Sequence, residues 1–220
     1  MMCDTPICDF VKKYAESKSH RLHMPGHKGI NLLGIEELDI TEINGADVLY
    51  SAQGIIKRSR ENASALFNTK ATFYSTEGSS LSIRAMLSLA VMYAKAKEQK
   101  PLIAAGRNVH KVFVSAAALL DFDVDWLLPE EKENILSCNI TPEYLEIYLK
   151  NTQTKPVAVY LTSPDYLGNV LDISALASVC HKYGVMLLVD NAHGAYLHFL
   201  QSSRHPIVRQ KSITLLPKAM

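Results

Sequence analysis

The sequence predicts an α/β fold of three layers, a largely parallel sheet flanked by helices on both faces. Two observations carry that expectation. Short apolar runs alternate with segments of helical periodicity over most of the chain, the order that lays helices across a parallel sheet. The run "VMLLV" at 185–189 is apolar at every position, as a strand buried on both faces is. It ends in Asp190, with His193 and Gly194 just beyond. An ionised carboxylate at the end of a buried strand is costly unless a cation meets it.

Local signals place each element. Thr5 and Pro6 open an amphipathic helix to about Ser19, with Ile7, Phe10, Val11 and Tyr14 at helical spacing. "HRLHMPGHKGINLLG" carries Pro25, Gly26, Gly29 and Gly34 and reads as a loop. Residues 54–68 have helical periodicity. "ATFYS" at 71–75 reads as a strand, "TEGSS" as a turn, and 80–98 as a long helix. Strands then follow at 101–105, 123–128, 156–162 and 185–190. Helices fall between them at 108–120, at 141–151 with Thr141 as cap, and at 172–184 with Gly184 as stop. No repeat, low-complexity run or interdomain linker interrupts the pattern.

With 220 residues, 48% of them hydrophobic and 20% charged, the composition is that of an ordinary soluble chain with material for a sizeable core. Twenty-three basic against 22 acidic residues leave a net charge of +1, which gives no electrostatic case for nucleic acid or a membrane surface. The apolar segment 81–94 contains Arg84 and is too short to span a bilayer. The start has no basic region followed by a long apolar run, so no signal peptide is expected. Cys3, Cys8, Cys138 and Cys180 form no CxxC pair; reduced thiols and a cytoplasmic location are expected.

Open sheets of this kind bind ligands beyond the carboxyl ends of their strands, and the unusual residues fall there. Gly78 lets backbone approach a ligand, while Ser79 and Ser80 offer hydroxyls and amides at a helix start, a place for an anion. Neither a P-loop nor a GxGxxG is present. His110, Ser163 and Asp190 follow other strands. Each has a plainer alternative, as a turn, a cap or a surface histidine. Together they favour a ligand with a phosphate and a ring nitrogen that stays protonated. Pyridoxal 5'-phosphate is such a ligand, and a buried Asp pairs with its ring.

The chain resembles the fold-type-I Orn/Lys/Arg decarboxylases of the bacterial type. The resemblance rests on "HMPGHKG", "ITEINGADVLYSAQGIIKRSRENASALF", "FYSTEGSSLSIRAML", "GRNVHKVFVSAAALL", "YLTSPDYLGNVLDI" and "LLVDNAHGAYLHF", which run in the family's order from about residue 20 to 206. It implies an N-terminal helix with active-site and interface loops over 1–52. The cofactor-binding major domain would occupy 53–220, incomplete, without the small C-terminal domain. Asp190 would pair with the ring nitrogen, Gly78, Ser79 and Ser80 would hold the phosphate, and His110 would stack on the ring. His193 would sit beside Asp190, and Ser163 near the ring's phenolic oxygen. The implied reaction is decarboxylation of arginine, lysine or ornithine to the amine and carbon dioxide, in a homo-oligomer whose sites form between subunits.

The family's cofactor-anchoring lysine lies in a Ser-x-His-Lys motif, expected shortly after His205-Pro206. "HPIVRQKSITLLPKAM" has no His-Lys, so the expectation is a truncated or frameshifted form without the anchor; of Lys211 and Lys218, Lys218 is the candidate substitute. Two other functions remain open: a non-catalytic remnant or partner subunit that at most binds the cofactor weakly, and another enzyme of the same fold type, such as an aminotransferase or lyase. His20, His23 and His27 raise zinc as an alternative to an active-site loop, but no Cys or acidic ligand accompanies them and no metal is expected. Glu42, Asp47 and Glu77 are the acidic residues available to wall a pocket for a basic substrate.

Overall fold

The computed structural model describes residues 4–129 and 136–200. Two compact units divide the chain, Met1–Tyr74 and Ser75–Met220.

The second unit holds the sheet. Its elements in chain order are α3 (Gly78–Ala96), β1 (Leu102–Gly106), α4 (Lys111–Leu120), β2 (Asp123–Leu127), α5 (Pro142–Asn151), β3 (Ala158–Thr162), α6 (Ile173–Lys182) and β4 (Met186–Asp190). The four strands lie in the order β2-β1-β3-β4, all parallel. Every sequence-predicted strand from residue 101 onward is present; β1 is shifted by one residue, and the other three are trimmed by a residue or two at one end.

Period-two alternation divides the core between the two faces of this sheet. On one face Ile103, Ala105, Ala158, Tyr160, Met186 and Leu188 pack against Ile83, Leu87 and Val91 of α3 and Phe113 of α4. On the other, Ala104, Val159, Leu161 and Leu187 pack against Leu145 and Leu149 of α5 and Leu176 and Cys180 of α6. Both faces are covered at β3 and β4, which is why those two strands read as apolar runs, whereas the edge strand β2 carries Asp123 and Asp125. Thr141 caps α5 by accepting from the Tyr144 amide at 3.2 Å, and Asp172 caps α6 by accepting from the Ala175 amide at 3.0 Å.

The first unit contains α1 (Pro6–Glu16), a 3₁₀ turn at Glu36–Leu38 and α2 (Ile55–Phe67), with α1 packed on α2. Asp4 ties the two helices by an ion pair to Arg58 and by accepting from Asn62 Nδ2 at 2.8 Å. The sequence reading starts the major domain at residue 53, whereas α2 packs here, inside the first unit.

One predicted element is corrected. "ATFYS" at 71–75 is not a strand. Its partners belong to α2 instead. Arg60 Nε donates to the Thr72 carbonyl at 2.8 Å and its guanidinium lies 4.2 Å from the Phe73 ring centre; Tyr74 donates to the Ser59 carbonyl at 2.9 Å. A β-prone sequence satisfied by a helix has no ladder to join. The first sheet strand is therefore β1, and "TEGSS" opens α3 without a strand before it.

Candidate active site at the carboxyl edge of the sheet

β3 and β4 end together, with Thr162 opposite Asp190 in the register. Because Met186, Leu188 and Asp190 alternate to one side, the Asp190 carboxylate emerges on the α3/α4 face. It is 6% exposed. Its Oδ2 accepts from the Tyr160 hydroxyl at 3.1 Å and its Oδ1 from the Ala192 amide at 3.1 Å. The second bond is a local turn closure, the plainer role open to a strand-terminal Asp. Neither partner is charged. Among the described residues no lysine, arginine or histidine forms an ion pair with Asp190.

Three further polar atoms at this edge are enclosed and have no hydrogen-bond partner among the described residues: Asn108 Nδ2 after β1, Thr162 Oγ1 ending β3, and Asn191 Oδ1 after β4. Leaving a buried polar atom unpaired costs about 1–3 kcal/mol. Their concentration beyond the strand ends marks a place where polar groups wait for a ligand or water.

Ser163 points the other way. Its hydroxyl is fully buried and accepts from the Leu171 amide at 3.0 Å, and Leu171 belongs to the α5/α6 side of the core. Its own amide donates to the Asp190 carbonyl at 3.0 Å. Ser163 thus ties the two strand ends together by backbone, while Thr162 supplies the hydroxyl on the Asp190 side.

Gly194 closes the turn after β4. A Cβ there would lie 2.1 Å from Asn191 Oδ1 and 2.4 Å from Pro164 Cδ, so the close approach of the two loops requires glycine. His193 is exposed, with its ring 5.6 Å from that of Tyr166. Both line a cavity of about 270 Å³ between the β3 and β4 loops, along with Pro164, Asp165, Gly168 and Tyr196.

His110 is the N-cap of α4. Its Nδ1 accepts from the Val112 amide at 3.3 Å, which leaves Nε2 to carry the proton of the neutral ring. Gly78, Ser79 and Ser80 form the first turn of α3. No side chain caps that turn, so its amides are available to an anion. Gly78 has φ +60° with open space around it, so conformation and not crowding selects glycine. A helix leading back into a parallel strand starts at that strand's carboxyl end, which puts this turn and His110 on the edge that carries Asp190.

The other candidates have different roles. Glu77 pairs with Arg84 at 2.7 Å, and exposed Glu42 accepts from its neighbour Thr41 at 3.3 Å. Asp47 accepts from the amides of Val48, Gln53, Gly54 and Ile56 at 2.7–3.0 Å. Partial burial raises its pKa, but the four amides outweigh that and bring it down to about 2. Nor do the rings of the histidine cluster converge. His23 donates from Nδ1 to the Met24 carbonyl and meets the Tyr14 hydroxyl at Nε2, whereas His27 accepts from the Gly29 amide and donates to Asp39. Among the described residues no three His, Cys, Asp or Glu side chains are grouped to hold a metal. Lys211 and Lys218 lie outside the described residues.

Sequence reasoning does not reach Tyr160, and it offers Thr162 only as one of a hydroxyl pair with Ser163. A signal existed for the first: a tyrosine inside a wholly buried strand must find a partner for its hydroxyl. Thr162 could be inferred only after register placed it opposite Asp190.

Comparison with known proteins agrees with this architecture. The arginine decarboxylase of Bacillus subtilis is 31% identical over 211 residues, covering 89% of this chain and 41% of that protein. The curated relatives matched are all more than twice as long, the chain spanning 40–44% of them. Among solved structures, Pseudomonas aeruginosa lysine decarboxylase A aligns with a TM-score of 0.68 at 17% identity, covering 88% of this chain and 29% of that one. The Escherichia coli constitutive lysine decarboxylase gives 0.66 at 18%, covering 90% and 30%. These identities speak for the fold alone. The profile of the Orn/Lys/Arg decarboxylase major domain matches residues 5–212, nearly the whole chain, and the chain belongs to that family.

Proposed function

We propose that this chain forms the cofactor-binding part of a pyridoxal phosphate-dependent decarboxylase acting on a basic amino acid. The observation that carries the reading is the Asp190 carboxylate, buried at the sheet edge with two neutral donors and no cation among the described residues. A buried carboxylate so placed is matched by a protonated ring nitrogen. The uncapped first turn of α3 offers amides for a phosphate on the same edge. The residues present therefore fit the group.

When bound, the cofactor supplies an electron sink for the pair left as a carboxylate departs as carbon dioxide. Asp190 would hold the proton on the ring nitrogen by pairing its negative charge with the ring cation. Gly78, Ser79 and Ser80 would fix the phosphate through main-chain amides. His110, with Nδ1 occupied as a cap, would present its ring and the Nε2 proton. His193, exposed at the mouth of the 270 Å³ cavity, would face incoming substrate. Arginine, lysine and ornithine are the substrate candidates, a homo-oligomer the expected assembly and the cytoplasm the expected location. No helix among the described residues is long and apolar enough to cross a membrane.

The test is spectrophotometric titration of the purified chain and of Asp190→Asn with pyridoxal phosphate, then borohydride reduction and mapping of any labelled lysine. Asp190→Asn is expected to bind at least about tenfold more weakly. Equal affinity overturns the reading. Amine and carbon dioxide release from the three amino acids, against keto-acid formation, separates a decarboxylase from an aminotransferase.

A further inference from the structure

Tyr160 is one of the two donors to Asp190, and its hydroxyl is the only side chain of a described residue that hydrogen-bonds to it. The ring is 0% exposed and held against Phe113, 4.7 Å between centres, on the α3/α4 face. Tyr160 lies opposite Leu188 in the register, so its ring must run along the sheet toward the carboxyl edge to reach Asp190 Oδ2 at 3.1 Å. A phenol in this position can only donate, because a carboxylate offers no proton in return. Burial and the neighbouring carboxylate push the phenol's pKa up, so it keeps its proton across the working range.

We infer that Tyr160 is a positioning residue that keeps Asp190 an oriented carboxylate, ready to hold the proton of a bound ring cation on the ring. The inference rests on the proposed function for the identity of that cation. A hydrogen bond to an ionised oxygen favours the ionised form, and it does so most where water is excluded. Without it, Oδ2 would lose its strand-side anchor, and the carboxylate would be free to turn away from a ring nitrogen. The bond also fixes which way the carboxylate faces. Ala192 holds Oδ1 from the loop side and Tyr160 holds Oδ2 from the strand side, so both oxygens are anchored.

Other titratable groups on the elements around β4 act at most at a distance. They are Arg107 after β1, His110 at the start of α4, Asp165 and Tyr166 in the β3 loop, His193 in the β4 loop, Glu77 and Arg84 paired at the start of α3, and His181 and Lys182 at the end of α6, by the opposite edge of the sheet. None of them hydrogen-bonds to Asp190.

The experiment is carbon-13 NMR of the aspartate carboxyls in the full 220-residue chain without cofactor, wild type against Tyr160→Phe, with Asp190→Asn assigning the signal. In Tyr160→Phe the Asp190 carboxyl signal is expected to shift and to lose its solvent-deuterium isotope shift, and pyridoxal phosphate affinity to fall about tenfold, the size of a hydrogen bond to a charged group. An unchanged Asp190 signal overturns the inference whatever the cofactor does. A changed signal in a chain that binds no cofactor supports Tyr160 and overturns the proposed function. Should Tyr160→Phe fail to fold, the Tyr160 Cζ signal of the wild type must still respond to Asp190→Asn; an unmoved signal overturns the inference.

Discussion

Thr162 and Asp190 are cross-strand neighbours at the last positions of β3 and β4, both buried and both on the α3/α4 side of the sheet. One is a hydroxyl without a partner among the described residues, the other a carboxylate without a cation. Two adjacent polar groups at one strand end are the arrangement the proposed function uses.

Thr162→Val keeps the shape and removes the unpaired hydroxyl. Since an orphaned buried group is a cost, the variant should be at least as stable as wild type, within about 1 kcal/mol, by urea denaturation. Pyridoxal phosphate affinity should fall several-fold. A clear loss of stability would mean the hydroxyl already has a partner and does not await one.

Ser163→Ala should behave in the opposite way. The Leu171 amide would lose its acceptor in the core, at a cost of about 1–3 kcal/mol. Cofactor affinity measured on the folded fraction should change less than about twofold, a difference of about 0.4 kcal/mol. Reversal of that pattern would place the serine hydroxyl in contact with the cofactor.

Gly78→Ala and Gly194→Ala test two reasons for glycine. At Gly78 the positive φ alone is the obstacle, so the loss should be about 1–2 kcal/mol. At Gly194 the clash with Asn191 and Pro164 forces the β3 and β4 loops apart, and the loss should be larger. Chemical denaturation ranks the two.

Asp47 predicts acid behaviour. Its folded pKa of about 2 lies below the ordinary carboxylate value, so its contribution is complete above pH ~4 and fades as pH falls toward 2. Asp47→Asn should melt earlier than wild type at pH 7, and the gap should narrow below pH 4. A gap that persists unchanged at pH 2.5 would show that shape, and not charge, holds the 47–56 loop.

Much of this was legible along the chain. Alternating runs gave the parallel sheet, and Thr141 announced the helix it caps, because a cap acts on amides two or three residues away. "ATFYS" misled for the opposite reason: its bonds run to α2, which leaves Phe73 and Tyr74 exposed and offers no ladder to join. Asp47, a candidate for the substrate pocket by its charge, is spent on four backbone amides of its own loop, a fold-back that spacing does not reveal.

The sequence by itself determined the family, the layer order and the carboxylate that ends the last described strand, since these depend on periodicity and on residues in fixed local order. Only the tertiary structure decided which hydroxyl stands beside that carboxylate. Thr162 and Ser163 are adjacent in sequence, and a strand sends adjacent side chains to opposite faces; register with β4 then selects Thr162 and Tyr160 for the Asp190 side and gives Ser163 to the core behind it.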